Sequence, residues 1–138
     1  MSVRSFLDTN VLIYTDDHDA PRKQKAALAL IERCRADNNA VVSTQVLQEY
    51  FAAVTRKLSV PAPIARRKIE IFARLPVVRL DVPDILAAID LHRLHSISFW
   101  DALIIRAALE GGCSVLYTED LQDGWRIDDV EVINPFRN

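Results

Sequence analysis

Strands alternating with helices along a chain of 138 residues predict a three-layer α/β/α domain with a mainly parallel central sheet. Three observations carry that expectation. Short apolar runs ("SFLD", "AVVS", "VVRL", "SVLYT", "VEVIN") punctuate the chain, most of them separated by stretches of helical period. Proline or a capping residue opens most of those stretches, and no linker divides the sequence, so residues 1–138 read as one domain. Crossovers between parallel strands are almost always right-handed, which puts helices on both faces of the sheet.

The elements follow in order. "SFLDTNVLIY", residues 5 to 14, begins and ends as a buried strand does, yet holds Asp8, Thr9 and Asn10 in its middle; the apolar run "SFLD" ends on a carboxylate. Pro21 opens a helix to Arg35, with Ala26, Leu28, Leu30 and Ile31 among basic residues. After the strand "AVVS", Thr44 can cap a helix through about Leu58 whose Leu47, Tyr50, Phe51, Val54 and Leu58 form one stripe. Pro63 starts a helix to Leu75, "VVRL" at 77–80 is a strand, and Pro83 starts a helix to about His95. Ser98 caps the next helix, which ends at Gly111-Gly112, where a missing β-carbon suits a left-handed exit. "SVLYT" and "VEVIN" supply the last strands.

Composition excludes several classes. Half of the residues are apolar and three are glycine, enough for a real core and unlike a disordered or repetitive chain. Charge interrupts every apolar stretch before membrane-spanning length, and the N-terminus lacks a basic-then-apolar signal, so a soluble cytoplasmic protein with no membrane partner is expected. Cys34 and Cys113 lack zinc-site spacing and read as reduced, buried thiols. Seventeen basic against nineteen acidic residues exclude a globally basic nucleic-acid binder, leaving local patches or bound cations to meet phosphate.

In such folds ligands collect beyond the carboxyl ends of the strands. Asp8 and Asp120 stand at strand exits, and Glu49 and Asp101 in the early turns of helices on the same edge. Each has an ordinary alternative. Asp8 and Asn10 suit an Asx-type turn, Asp101 completes a capping box with Ser98, Glu49 lies opposite its apolar stripe and suits solvent, and Asp120 sits in the turn-forming "TEDLQDG". Together, four carboxylates at one edge repel one another unless a cation holds them. Oxygen ligands select hard ions, so Mg2+ or Mn2+ fits better than zinc. His18 lies in a charged loop, and His92 and His95 share one helix, so neither suggests a zinc cluster. Ser43 and Thr44 have no histidine placed to activate them and read as helix caps.

Four segments in this order, "FLDTNVLIY", "VVSTQVLQEYF", "ISFWDALII" and "LYTEDLQDG", resemble the PIN-domain ribonucleases, especially VapC-type toxins of bacterial toxin–antitoxin pairs. The resemblance spans nearly the whole chain. It implies that Asp8, Glu49, Asp101 and Asp120 hold one or two divalent ions that activate water against an RNA phosphodiester, with Asn10 and Thr118 as supporting polar groups. Glu119 and Asp123 are further candidates for the last oxygen or for contacts through water; Asp120 is preferred, then Asp123. The resemblance also implies a homodimer and a small antitoxin that covers the acidic site. Basic runs at Arg56-Lys57 and Arg66-Arg67-Lys68 offer positive charge to RNA or to a partner.

Two rival classes share parts of the pattern. Haloacid-dehalogenase-like phosphatases and receiver domains also place Asp at the end of the first strand. The phosphatase wants a second Asp where Asn10 stands, and a receiver wants a Lys after a late strand, which "LYTED" lacks. A non-catalytic RNA- or protein-binding module on the same fold is the other alternative; the presence of all four acids argues against it.

Overall fold

The computed structural model describes residues 3–137. The first strand, β1 (Ser5–Leu7), stops after three residues because Asp8 turns the chain into a helix, α1 (Thr9–Tyr14), accepting from the Thr9 amide at 2.6 Å. Residues 5 to 14 are therefore not one extended segment. The apolar letters after Asn10 are the inner face of a short helix, with Val11 and Leu12 fully buried.

The chain continues through α2 (Pro21–Ala36), β2 (Ala40–Ser43), α3 (Thr44–Lys57), α4 (Ala62–Phe72), β3 (Val77–Val78), α5 (Val82–His95), α6 (Phe99–Glu110), β4 (Val115–Tyr117), β5 (Arg126–Ile127) and β6 (Val130–Ile133). The strand order is β3-β2-β1-β4-β6-β5, with every pairing parallel except β5 against β6. The chain builds outward from β1 to β3 and then returns to the other side of β1 with β4. That reversal creates a switch point between β1 and β4, where open α/β sheets characteristically hold ligands.

Helices α1 to α4 pack among themselves, while α5 pairs with α6, which also lies against β2 and β4. Every residue of β1 and β2 is buried, as strands covered on both faces must be. The three-layer α/β/α architecture with a mainly parallel sheet is thus the observed one.

Several boundaries differ from the sequence expectation for local reasons. Ser43, not Thr44, is the cap of α3, its hydroxyl accepting from the Val46 amide at 3.3 Å. Helix α4 begins at Ala62 with Pro63 inside its first turn, and α5 begins at Val82 rather than Pro83. Pairing in "VVRL" covers Val77–Val78 alone. β5, a two-residue antiparallel edge, was not anticipated, being too short to show a period. The buried stripe of α3 is Val46, Tyr50 and Val54, whereas Leu47 is half-buried and Phe51 is 37% exposed. At the end of α6, Gly111 keeps a right-handed conformation, and a β-carbon there would lie 3.1 Å from Val78 and 3.2 Å from Val41. Gly112, at φ 66°, makes the left-handed exit.

Cys34 and Cys113 are buried free thiols, and burial pushes the Cys113 thiol up to about 11. Among the described residues, no helix is long and apolar enough to cross a membrane.

Candidate active site

Asp8 leaves β1 at the switch point, and its amide donates to the Tyr117 carbonyl of the neighbouring β4 at 3.1 Å. Parallel register thereby brings the residues after Tyr117 beside those after Leu7. Thr118, fully buried, is the link. Its hydroxyl donates to Asp8 Oδ2 at 2.8 Å and accepts from Asn10 Nδ2 at 3.0 Å and from the Asp120 amide at 3.1 Å. One donor and two acceptor sites exhaust a hydroxyl's capacity, so this threonine is fixed in orientation. Asn10 Nδ2 also donates to Asp120 Oδ2 at 3.1 Å. Two strand exits and the first turn of α1 are thus joined through side chains.

Glu49 arrives from α3 and is half-buried, not solvated. Its Oε1 accepts from the Thr9 hydroxyl at 2.7 Å and its Oε2 from Gln45 Nε2 at 3.3 Å. The sequence marks Thr9 only as part of the polar trio at the floor of the site, and gives Gln45 no role. Their signal was the uninterrupted polar run "DTN" and a glutamine one helical turn before Glu49. Asp101 sits in the first turn of α6, half-buried, its amide donating to Ser98 Oγ at 3.0 Å. The helix-cap alternative for Asp101 is therefore half realised, with Ser98 covering the Asp101 amide.

Electrostatics ties the four acids together. Burial pushes the Asp8 carboxyl up to about 7, against the lowering effect of the Thr118 and Thr9 hydrogen bonds, and the charges of Asp120 and Glu49 add to the rise. Burial likewise raises Asp101, opposed by Ser98 and reinforced by Asp120 and Glu49. Like charges raise a carboxyl pKa only when they are near.

The remaining acidic candidates face elsewhere. Glu119 accepts from Tyr14 Oη at 2.5 Å and from Lys23 Nζ at 2.9 Å. Asp123 accepts from the Asn134 amide at 2.8 Å and from Arg137 at 3.3 Å. The basic runs are partly spent too: Arg66 and Arg67 pair with Glu70, and Lys68 with Asp16.

The donor set suits a hard divalent ion, since it offers carboxylate, amide and hydroxyl oxygens and a buried acid whose ionisation a cation would favour. As they stand, no three histidine, cysteine or acidic side chains among the described residues are close enough to cage an ion. Glu49 and Asp120 are each hydrogen-bonded to neutral donors on the rim.

The chain belongs to the PIN-domain family, whose model matches residues 5–123. No curated protein sequence matches it. Its fold is similar to that of a toxin–antitoxin complex from Klebsiella pneumoniae, at 17% identity and TM-score 0.70, over 95% of this chain and 97% of the other. It is likewise similar to VapBC2 from Rickettsia felis bound to a promoter DNA fragment, at 19% identity and TM-score 0.68, over 93% and 96% of the two chains. A third is the sarcin–ricin-loop-cleaving toxin VapC20 of Mycobacterium tuberculosis, at 20% identity and TM-score 0.66, over 84% and 91%.

Proposed function

We propose that the protein is a divalent-metal-dependent endoribonuclease, the toxin of a type II toxin–antitoxin pair, hydrolysing RNA phosphodiester bonds at the β1/β4 edge. The observation that carries this reading is Asp8, 4% exposed and pushed up to about 7, with Asp120 and Glu49 beside it and no cationic side chain among the groups that shift it. A protein keeps such a carboxylate at a ligand-binding edge when something from outside is to neutralise it. Membership of the PIN-domain family and the similar toxin folds support the same reading.

Asp8, Glu49, Asp101 and Asp120 are the proposed ligands, and Mg2+ or Mn2+ the proposed ion. When bound, such an ion lowers the pKa of a water and neutralises charge growing on the phosphoryl oxygens. The chain's own residues orient the ligands. Thr118 and the Thr9 amide hold the two oxygens of Asp8, Asn10 steadies Asp120, and Thr9 and Gln45 set Glu49. Glu119 and Asp123 support the site by pinning its loop, the first to α1 and α2 and the second to the C-terminal segment. Products with a 3′-hydroxyl and a 5′-phosphate are expected. The same likeness leads us to expect a cytoplasmic homodimer, held inactive by a small antitoxin that crosses the acidic site and also binds promoter DNA.

The test is cleavage of total bacterial RNA by antitoxin-free protein with Mg2+ or Mn2+, beside an EDTA control and Asp101→Asn. Metal-dependent cutting that disappears in the variant is the expected result. Cutting by Asp101→Asn at the unsubstituted rate would reduce Asp101 to a helix cap. Folded protein that binds RNA and metal without cutting would point to the binding module.

A further inference from the structure

Helix α5 distributes its side chains in the reverse of the usual order. Its inner line, Asp84, Ala88, Leu91 and His95, is buried or half-buried and holds an acid, an alanine and an imidazole beside one leucine. Its outer line is Val82, Ile85, Leu86 and Ile89, all exposed, Val82 by 67%, at the i, i+3, i+4, i+7 spacing of a single helix face. No charge interrupts that line before Arg93, one further step along it. A helix on the surface of a monomer shows solvent its polar face instead. The apolar surface continues onto α6, because Ile85 lines a pocket of about 210 Å3 together with Leu80, Leu103 and Trp100, the last 62% exposed. Trp100 is also where the patch meets the acidic edge. It precedes Asp101, and its carbonyl accepts at 3.3 Å from Gln45 Nε2, which donates to Glu49 as well.

We propose that this face is where two copies of the chain pair, α5 lying antiparallel to the partner's α5 about a two-fold axis between Leu86 and Ile89. The inference deepens the homodimer expected under the ribonuclease reading by naming its surface, and it needs neither metal nor RNA. Charge favours a second copy as the occupant. Exposed Asp81 stands at the start of the helix, and exposed Arg93 in its last turn. A two-fold axis at the middle of the outer line sets each acidic end against the partner's basic end and opposes the two helix macrodipoles. Area agrees with charge. The exposed surface of Val82, Ile85, Leu86, Ile89 and Trp100 comes to roughly 500 Å2, a size at which an apolar patch marks a contact. With its rim of Asp81, Pro83, Asp90 and Arg93 the face approaches the about 800 Å2 per partner of a standard interface. A protein that covers the acidic site has to bring cations, and the uncharged line of α5 offers those nothing.

The test is sedimentation equilibrium of the full chain in EDTA, without RNA, over a concentration series, with hydrogen–deuterium exchange measured at both ends of the series. The unsubstituted chain is expected to dimerise, and residues 82–93 to gain protection as it does. Leu86→Asp and Ile89→Asp each set two like charges at the axis and should raise the dimer dissociation constant by about 100-fold or more, with the helical circular dichroism retained. Arg93→Asp, which presents a like charge to the partner's Asp81, should weaken pairing several-fold, and Asp81→Asn, which keeps a capping side chain, by less. Leu28→Asp, at an exposed apolar position of α2, is the control and should leave the constant within about twofold. A chain that stays monomeric at every concentration would overturn the proposal and leave the face to a partner of another kind. So would dimers that Leu86→Asp and Ile89→Asp leave intact, or that Leu28→Asp dissociates, since the contact would then lie elsewhere. Because association is read without metal or cleavage, failure here is separate from failure of the nuclease reading, which the EDTA and Asp101→Asn arms decide.

Discussion

Asp8 and Asp84 are both nearly out of reach of solvent, at 4% and 9% exposure, and the protein treats them in opposite ways. Asp84, in the first turn of α5, accepts from the Asp81 amide at 3.0 Å and from Arg106 Nε of α6 at 2.9 Å. Those partners, the backbone amide first, hold its carboxyl below the usual range. Asp8 accepts from neutral groups only, faces other acids, and is pushed up to about 7. Where this fold needs a buried carboxylate as a clamp between helices, it supplies its own arginine. At the switch point, among the described residues, it leaves the acid without one, which is the arrangement expected of the metal ligand proposed above.

The contrast breaks first on a crossed pair of substitutions. Asp8→Asn should abolish RNA cleavage and leave the melting temperature of metal-free protein at pH 8 unchanged or raised, because a costly buried charge is gone. Asp84→Asn should do the reverse, leaving Arg106 without its buried partner, lowering the melting temperature by several degrees and sparing cleavage. Parallel effects of the two on either readout would erase the distinction.

The pH dependence sharpens it. The Asp8 carboxyl titrates at 3.8 ordinarily and at about 7 when folded, so the folded state binds the proton more tightly. Its contribution to stability is therefore complete below the unfolded value and is lost as pH rises through about 7. At about 1.4 kcal/mol per unit, the loss in metal-free protein amounts to on the order of 4 kcal/mol at most. Thermal melts between pH 4 and 8 should show this decline in the unsubstituted chain and lack it in Asp8→Asn, and Mg2+ or Mn2+ should restore stability at pH 8 far more than at pH 5. Equal pH profiles for the two chains would mean that Asp8 is not held at such a raised value.

A smaller effect concerns the hydroxyl that aims Asp8. Thr118→Val keeps shape and burial but removes the donor to Asp8 Oδ2 and the acceptor for Asn10. Groups that orient ligands are typically worth about 10- to 100-fold in metal affinity or activity, and that range is expected here for kcat with Mg2+ as the ion. Unaltered kinetics would leave Thr118 as packing alone.

Much of this was legible beforehand, for physical reasons that differ by element. Helices announced themselves through proline at their starts and period along their length, and Asp8 and Asp120 through their position after apolar runs. What escaped notice depended on partners far away in sequence. Val46 is the fully buried residue at the start of α3, while Leu47 packs against the core only partly buried, because the sheet decides how deeply each side of α3 is covered; Leu47→Ala should accordingly cost less than the ~2 to 5 kcal/mol of a fully buried leucine. The helix at Thr9–Tyr14 escaped because six residues hold too little period to separate helix from strand. The Lys23–Glu119 pair that pins the loop after β4 to α2 joins residues 96 positions apart, which no local pattern encodes.

The smallest effect tests what holds Arg106 in the structural half of the comparison. Arg106 also pairs with Glu110, one turn further along α6, but the Glu110 side chain is 42% exposed against 12% for Asp84. An exposed pair at this spacing contributes roughly 0.3–0.5 kcal/mol, because solvent and salt screen it. Glu110→Gln should therefore shift chemical-denaturation stability by no more than about 0.5 kcal/mol, and less in high salt. A shift as large as that of Asp84→Asn would mean that the guanidinium is anchored by Glu110, and that the buried acid of α5 is as short of a dedicated cation as Asp8 is.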